Sequence, residues 1–318
     1  MNKFLLFLLI LLYFLDSSYV YGQQDSQYTQ YMYNTININS AYTGSRGVLS
    51  VLGLYRTQWV GLDEAPKTQT FAIHSPINEK NKIGIGLSII HDQAGPSQET
   101  NFSANFSYTV SFSSESRLSL GLNAGGNLLN VDLVSLRKYN ENDQLLLQDI
   151  DRKFTPSVGL GLYFRSNSFY AGLSAPNVLE TNHFDEGSLS SSSMQTSFLA
   201  RERINYYLIT GYVFEVAPLI KLKPALLTKY IQGSPWQVDI SANVLFYDKF
   251  TLGASYRFSE AFSALAGFQI SESIMLGLSY DREITKLGKS EFNKGSFEFF
   301  LRYELKKIFS RGMTPRFF

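Results

Sequence analysis

Residues 101–112 read NFSANFSYTVSF, and apolar and small polar residues alternate through this stretch without a break. A period of two places the apolar side chains on one face of a β-strand and the polar side chains on the other. The same alternation recurs in residues 83–89, 118–123 and 251–258. The chain is therefore predicted to be built from many two-faced strands.

The composition of the polar face indicates what surrounds these strands. In a soluble β-sandwich that face would carry Lys and Glu, but here it consists mostly of Gly, Ser, Asn and Thr. The apolar face is rich in aromatic residues, and the chain contains 25 Phe and 20 Tyr. Apolar side chains toward lipid, polar ones toward a lumen and aromatic girdles at both interfaces are typical of a transmembrane barrel.

Alternation and turn residues together predict an all-β fold, a transmembrane antiparallel outer-membrane β-barrel of about 14 strands. The long connections, residues 129–153, 176–200 and 282–294, all follow odd-numbered strands. Outer-membrane barrels have short periplasmic turns and longer extracellular loops, so we expect both termini on the periplasmic side. The predicted strands are residues 47–60, 67–76, 82–92, 99–112, 117–128, 154–165, 168–175, 201–215, 219–231, 236–247, 250–258, 262–271, 274–281 and 295–307.

Three regions are predicted along the chain. Residues 1–22 read as a signal peptide, because Lys3 precedes an apolar run and small or tolerated residues end at Gly22. Residues 23–45 lack alternation and are rich in Gln, Asn and Tyr, which predicts an N-terminal periplasmic arm or a plug. Residues 46–318 are predicted to form the transmembrane β-barrel with a C-terminal tail.

The inward side chains are too small to fill a barrel of this width. Water, the N-terminal segment, long loops or part of another protein could occupy the lumen. We expect inward faces of low charge, with Arg257, Arg302, Glu298 and Glu304 as contributors. Arginine in place of Phe106, toward lipid, should cost about 2–4 kcal/mol. Arginine in place of Ser107, which points toward an under-filled lumen, should cost less free energy.

Few residues suit catalysis or cofactor binding. The chain has three histidines and no cysteine, and we predict no enzymatic activity, no cofactor and no metal site. The nearest alternative is a barrel enzyme that uses His91 and Asp92 beside a serine-rich wall, but a histidine at the membrane interface is favoured. The formal net charge of +1 gives no electrostatic argument for nucleic acid as a partner.

Several short motifs, in a fixed order, resemble the PorP/SprF family of outer-membrane proteins. One departure is Asn39-Ser40-Ala41, where many members carry Asn-Pro-Ala. The resemblance is densest from Gln23 to about Pro96, and the middle of the chain matches mainly in architecture. The motifs are residues 27–32 (QYTQYM), 39–46 (NSAYTGSR), 54–61 (LYRTQWVG), 65–70 (APKTQT), 74–77 (HSPI), 83–88 (IGIGLS) and 314–318 (TPRFF).

The resemblance implies a non-enzymatic barrel of the type IX secretion system, exported by a cleaved signal peptide to the outer membrane. The implied partner is the C-terminal secretion domain of a large surface protein, such as a gliding-motility adhesin that the barrel helps to secrete or anchor. Other secretion components and the lipid bilayer are further partners. The alternatives are a passive porin and a PorP-like structural component of the machine.

Four residues of the motif at 54–61 are candidates for partner binding, namely Tyr55, Arg56, Gln58 and Trp59. Arg56 and Gln58 are predicted to point into the lumen, where the planar guanidinium suits a partner's carboxylate or carbonyl groups. The alternative is structural: Tyr55 and Trp59 would be girdle aromatics and Arg56 an interface charge.

Overall fold

In the computed structural model of this chain, the described residues are 26–77, 82–134, 149–179, 181–182 and 201–305. The predicted signal peptide, the first residues of the predicted arm or plug at 23–25, and the motif at 314–318 lie outside them. Among the described residues, no helix has the length and apolar character needed to cross a membrane.

The chain folds into strands that follow one another with little other regular structure. A one-turn helix, α1 (Thr35–Ile38), and a 3₁₀ turn (Ser40–Tyr42) precede the first strand. The strands are β1 (Leu49–Thr57), β2 (Lys67–Pro76), β3 (Ile83–Ala94), β4 (Ser97–Ser111), β5 (Arg117–Val131), β6 (Ile150–Arg165), β7 (Phe169–Ala175), β8 (Thr181–Asn182), β9 (Arg201–Glu202), β10 (Asn205–Tyr212), β11 (Phe214–Ala217), β12 (Ile220–Ile231), β13 (Gln237–Phe246), β14 (Phe250–Arg257), β15 (Ala261–Gln269), β16 (Ile274–Glu283) and β17 (Ser296–Leu305).

The main sheet is antiparallel and closes on itself, because its strands pair in chain order, β10 pairs with both β7 and β12, and the last strand, β17, pairs with the first, β1. It contains 15 strands, of which β10 and β11 are consecutive pieces that both pair with β12. Counting those two pieces as one leaves 14 positions around the ring. The pair β8 and β9 forms a separate two-stranded sheet. The predicted fold and strand number are confirmed.

The two faces of the wall have the predicted orientation. Phe106 is 43 % exposed on the outer face, whereas its neighbour Ser107 is 0 % exposed on the inner face. In β17 the outward residues Phe299 and Leu301 are exposed and the inward Arg302 is buried.

The connections identify the two ends of the barrel. The longest stretches between neighbouring strands of this sheet follow β5, β7 and β16, and the ends of these three strands all lie at one end of the barrel. The opposite end carries short turns such as 166–168 and 247–249. By the loop-length rule for bacterial barrels, the first end is extracellular and the second periplasmic. We call them the outer end and the periplasmic end.

Candidate functional site

The segment that precedes β1, residues 26–48, lies inside the barrel, and we call it the lumen segment. Every residue from Tyr28 to Gly47 is buried, apart from the half-buried Asn37. The inward side chains of β3–β7 are mostly small, and this segment, rather than larger wall residues, fills much of the lumen beside them.

The lumen segment crosses the barrel from the outer end to the periplasmic end. Near its start, the Gln27 amide donates to Gln237, the first residue of β13 at the outer end (3.2 Å). Near its finish, Arg46 lies 2.7 Å from Glu304, close to the periplasmic end of β17. Of the two predicted alternatives for residues 23–45, an arm or a plug, the described part at 26–45 lies in the lumen as a plug would, whereas the N-terminus itself lies outside the described residues. The segment must run down the lumen to reach the start of β1, so it begins at the opposite end.

Three buried charges from adjoining strands hold the outer half of the lumen segment, and we call them the outer clamp. Arg56 of β1 lies 2.7 Å from Asp281 of β16 and 3.1 Å from Glu298 of β17. These three side chains are 2 %, 3 % and 0 % exposed. Both oxygens of Glu298 accept backbone N–H groups, from Thr29 at 3.0 Å and from Gln30 at 2.9 Å. The Thr29 hydroxyl also donates to Asp281 at 2.6 Å.

The outer clamp therefore satisfies its buried charges in two ways. Each carboxylate meets the Arg56 guanidinium, and each also accepts hydrogen bonds from the lumen segment. Charge-assisted hydrogen bonds are stronger than neutral ones, and a buried ion pair is better tolerated the more of its hydrogen-bonding capacity is met. Here most of that capacity is met, although Arg56 Nε has no hydrogen-bond partner among the described residues. The segment is thus part of what makes these buried charges tolerable.

Aromatic residues of the lumen segment continue along the same side of the barrel. The Tyr31 hydroxyl lies 3.1 Å from the Ser241 hydroxyl of β13. The Tyr33 ring packs against Phe300, with ring centroids 4.7 Å apart. Two cations face the same Tyr33 ring, Lys223 at 5.4 Å and Arg302 at 5.5 Å from its centroid. Such cation–π contacts strengthen when water is excluded, as it is here.

These contacts lie on one side of the lumen, formed by β12–β17 and β1, which we call the charged wall. The expectation of inward faces low in charge is wrong for this wall. The alternation of β12 and β13 in the sequence, extended residue by residue, would have indicated most of the missing charges. The buried charged side chains of this wall are Arg56, Lys223, Lys229, Asp239, Arg257, Asp281, Glu298 and Arg302.

The opposite side, formed by β3–β7, we call the small-residue wall. Here the segment's backbone approaches the wall so closely that a Cβ atom at Gly121 would overlap the backbone of Ala41. The Asn39 side chain lies where side chains at Gly161 and Gly172 would be, and donates to the Leu162 carbonyl at 2.8 Å. The segment can approach the wall this closely because these three glycines have no side chains.

Hydroxyl groups of the small-residue wall bind the segment's backbone. The Ser107 hydroxyl donates to the Thr43 carbonyl at 2.6 Å, and the Ser174 hydroxyl to the Ile38 carbonyl at 2.7 Å. The space expected beside Ser107 is therefore occupied. Arginine should be costly at both Phe106 and Ser107, for different reasons.

A second group of polar contacts, the periplasmic clamp, holds the end of the segment. Glu304 lies 2.7 Å from Arg46 and 3.3 Å from Arg302. The backbone N–H of Gly44 donates to Nδ1 of His74 at 3.1 Å, and Arg165 donates to the Ser45 carbonyl at 2.6 Å. His74 thus contacts the segment rather than a catalytic partner.

The four predicted partner-binding residues do not form one surface. Arg56 points inward as predicted, but its carboxylate partners belong to this chain. Tyr55 lies on the outer face with 42 % exposure. Gln58 and Trp59 follow the end of β1 in the outer turn, where Trp59 has a positive φ of 50°. Binding of another protein by these four residues stays a prediction.

Sequence reasoning missed the residues that Arg56 contacts. The motif at 27–32 and the motif at 54–61 meet in the structure, because Arg56 also donates to the Thr29 hydroxyl at 3.0 Å. Both motifs supported the resemblance, and their pairing is a contact that no periodicity could indicate.

The arrangement around His91 does not suit a hydrolase. His91 Nδ1 lies 2.9 Å from the Thr100 hydroxyl. Strand alternation places His91 on the outer face and its neighbour Asp92 on the inner face, where Asp92 accepts from the Thr68 hydroxyl. Within the described ranges, no three His, Cys, Asp or Glu side chains are grouped closely enough to hold a metal ion.

A cavity of about 160 Å³ remains between the outer half of the segment and the walls. Ser26, Gln27 and Tyr28 form part of its lining, and Asp92 and Glu99 lie near its outer edge. We call it the outer vestibule. The rest of the lumen's length is crossed by the buried segment.

Comparison with known proteins gives one family model and several solved structures that each cover most of the chain. Similar solved structures include the Ralstonia pickettii toluene transporter TbuX (8 % identity, 85 % of this chain and 93 % of that one, TM-score 0.49). A Pseudomonas aeruginosa FadL homologue is similar at 10 % identity over 81 % of this chain and 89 % of that one, with a TM-score of 0.42. The KdgM porin is similar at 9 % identity over 81 % of this chain and 99 % of that one, with a TM-score of 0.36. No curated protein matches. The family model of type IX secretion system membrane protein PorP/SprF matches residues 20–303, which include the lumen segment.

Proposed function

Because the chain belongs to the PorP/SprF family of type IX secretion system membrane proteins, we propose that this outer-membrane β-barrel binds a specific surface protein and helps to secrete or anchor it. The proposed cargo carries a C-terminal secretion domain and is of the gliding-adhesin type. The barrel acts by binding rather than by catalysis. Residues 1–22 are its cleaved signal peptide in this proposal.

The observation that carries the proposal is the occupied lumen. Residues 28–47 cross it, and polar contacts fix them at both ends through Glu298 and Glu304. A passive porin needs an aqueous path with a selective constriction. A lumen filled by the chain's own buried segment argues against a pore and favours a role at the two ends of the barrel.

The outer end is the side on which a secreted protein would be bound. The outer vestibule lies there, together with the longer connections such as residues 284–295. Interaction with further components of the secretion machine would use the opposite rim, where the turns are short. A PorP-like structural component, bound mainly at that periplasmic rim, is the alternative within the family.

The two roles within the family can be separated by purification. The tagged barrel, extracted from outer membranes in detergent, should retain one large surface protein with a C-terminal secretion domain, identified by mass spectrometry. Recovery of periplasmic secretion components without any such cargo would instead support the structural role.

Conductance separates both roles from a porin. The intact barrel in a planar bilayer should show no steady open channel, because the lumen segment blocks the path. A variant that lacks residues 27–45 should conduct if its barrel folds, which is checked by its resistance to heat in detergent. A steady conductance from the intact barrel would support the porin.

A further inference from the structure

The start of the lumen segment is placed where it could be reached from outside the cell. Ser26 and Gln27 are half-buried, whereas every residue from Tyr28 to Ile36 is buried. Gln27 is held at the outer end from two sides, by Gln237 of β13 at 3.2 Å and by Arg257, the last residue of β14, at 2.8 Å. Both partners are at outer ends of their strands, so the segment enters the lumen from the extracellular side.

The outer vestibule beside Ser26 is lined by amide and hydroxyl groups as well as by apolar side chains such as Ile38 and Phe102. The outer vestibule has amide and hydroxyl side chains on both sides, and its volume of about 160 Å³ is below the roughly 300–1,000 Å³ of typical ligand pockets. It could admit the tip of a loop but not a whole cofactor or drug-sized ligand. The polar side chains in question are Ser88, Asn101, Ser103, Asn105, Asn123 and Asn205.

We propose that Ser26 and Gln27 are exposed at the cell surface and, with the rim of the outer vestibule, form the docking surface for a polypeptide loop of the partner. The amide-rich lining matches the donors and acceptors of a peptide backbone, which a polar loop presents at its tip. The docking part rests on the proposed function. The exposure of Ser26 rests only on the direction of the segment.

Cysteine accessibility tests the direction, because the chain has no native cysteine. Ser26→Cys should react in intact cells with a maleimide that does not cross the outer membrane. Asp63→Cys, exposed in the outer turn, is the positive control, and Glu115→Cys, exposed in a periplasmic turn, is the negative control. Labelling of the Ser26→Cys variant only after the outer membrane is permeabilised would overturn the proposal. Heat resistance in detergent must be the same for all three variants.

A photo-cross-linking residue at position 26 tests the docking surface in living cells. We expect an adduct at least tenfold more abundant than with the same residue at position 115. The adduct should be destroyed by protease and should contain the surface protein that co-purifies with the barrel. An adduct that resists protease and yields to glycosidase would instead identify a polysaccharide and overturn the proposal.

The two experiments fail in distinguishable ways. If the barrel co-purifies with its cargo but position 26 gives no adduct, the docking surface is wrong and the cargo function stands. If the Ser26→Cys variant is labelled from outside but no cargo co-purifies, the direction of the segment stands and the proposed function fails.

Discussion

The charged wall and the small-residue wall hold the same lumen segment by different means. On the charged wall, residues 27–33 meet buried charges of the outer clamp and the rings and cations around Tyr33. On the small-residue wall, residues 38–44 meet glycines and hydroxyl groups, and the backbones nearly touch. Buried charges and aromatic contacts hold residues 27–33, whereas close backbone packing and hydroxyl hydrogen bonds hold residues 38–44.

This difference has an energetic consequence. A buried ion pair contributes little net stability compared with an apolar replacement, but removal of one partner leaves a charge unpaired in a dry environment. Close packing stabilises the fold through many small van der Waals contacts, and one added methyl group can disrupt it. The charged wall should therefore be most sensitive to truncation, and the small-residue wall most sensitive to enlargement.

The largest effect should come from Arg56→Ala. It would leave the Asp281 and Glu298 carboxylates buried without their guanidinium, at a cost of about 3–5 kcal/mol. The midpoint of urea unfolding in detergent should fall, together with the amount of folded barrel in the membrane. Arg152→Ala is the matched control, because its ion pair with Asp151 is 77 % and 71 % exposed and should contribute at most about 1 kcal/mol. Equal midpoints for the two variants would contradict the outer clamp.

A smaller loss is expected for Arg46→Ala in the periplasmic clamp. Its partner Glu304 is 19 % exposed and still has Arg302 at 3.3 Å. The Glu304 carboxylate would therefore keep a cationic partner in the variant. A lost hydrogen bond to a charged group typically costs about 1.5–3 kcal/mol. The measurement is the same urea midpoint, and a loss as large as that of Arg56→Ala would show that the two clamps do not differ.

The strand pattern could be predicted because it is local. Residues 101–112 alternate with period two whatever lies in the lumen, and turn residues separate the strands, so fold, strand number and facing followed from the sequence. The inward glycines were visible as well. The reason for these glycines could not be predicted, because the residue that leaves no room for a side chain at Gly121 is Ala41, 80 positions earlier in the chain.

The lumen segment could not be placed from the sequence, for the same reason. Residues 26–48 have no strand or helix period, and their burial arises from contacts with strands far along the chain, such as Thr29 with Glu298. An inward arginine such as Arg56 could be predicted from strand alternation. Whether it faces a partner protein or its own chain depends on Asp281 and Glu298, which are brought beside it only when the barrel closes.

Gly121→Ala tests the small-residue wall by adding one methyl group. The added Cβ would overlap the backbone of Ala41, which cannot rotate aside, so we expect a loss of about 1–3 kcal/mol. Gly53→Ala is the matched control, since no heavy atom lies within 4 Å of the Cβ position there. Unfolding midpoints of the two variants in detergent provide the comparison, and a loss confined to Gly53→Ala would refute the close packing.

The smallest effect should come from Ser107→Ala, which removes a single hydrogen bond between the small-residue wall and the segment. The bond to the Thr43 carbonyl should be worth about 0.5–1.5 kcal/mol, because both groups would otherwise bind water. Ser119→Ala is the control: its hydroxyl lies 2.7 Å from that of Thr109, so this hydrogen bond joins two strands of the wall rather than the wall and the segment.

Both serine variants should lower the unfolding midpoint by a similar small amount, but only Ser107→Ala should loosen the segment. Hydrogen–deuterium exchange of residues 40–46, followed by mass spectrometry, should accelerate in Ser107→Ala and stay unchanged in Ser119→Ala. Equal exchange in both variants would mean that the Ser107 hydrogen bond does not hold this part of the segment, and that close packing against Gly84 and Gly121 and the periplasmic clamp do so without it. The charged wall would then hold the segment through buried charges and the small-residue wall through close packing, with no role for the Ser107 hydroxyl group.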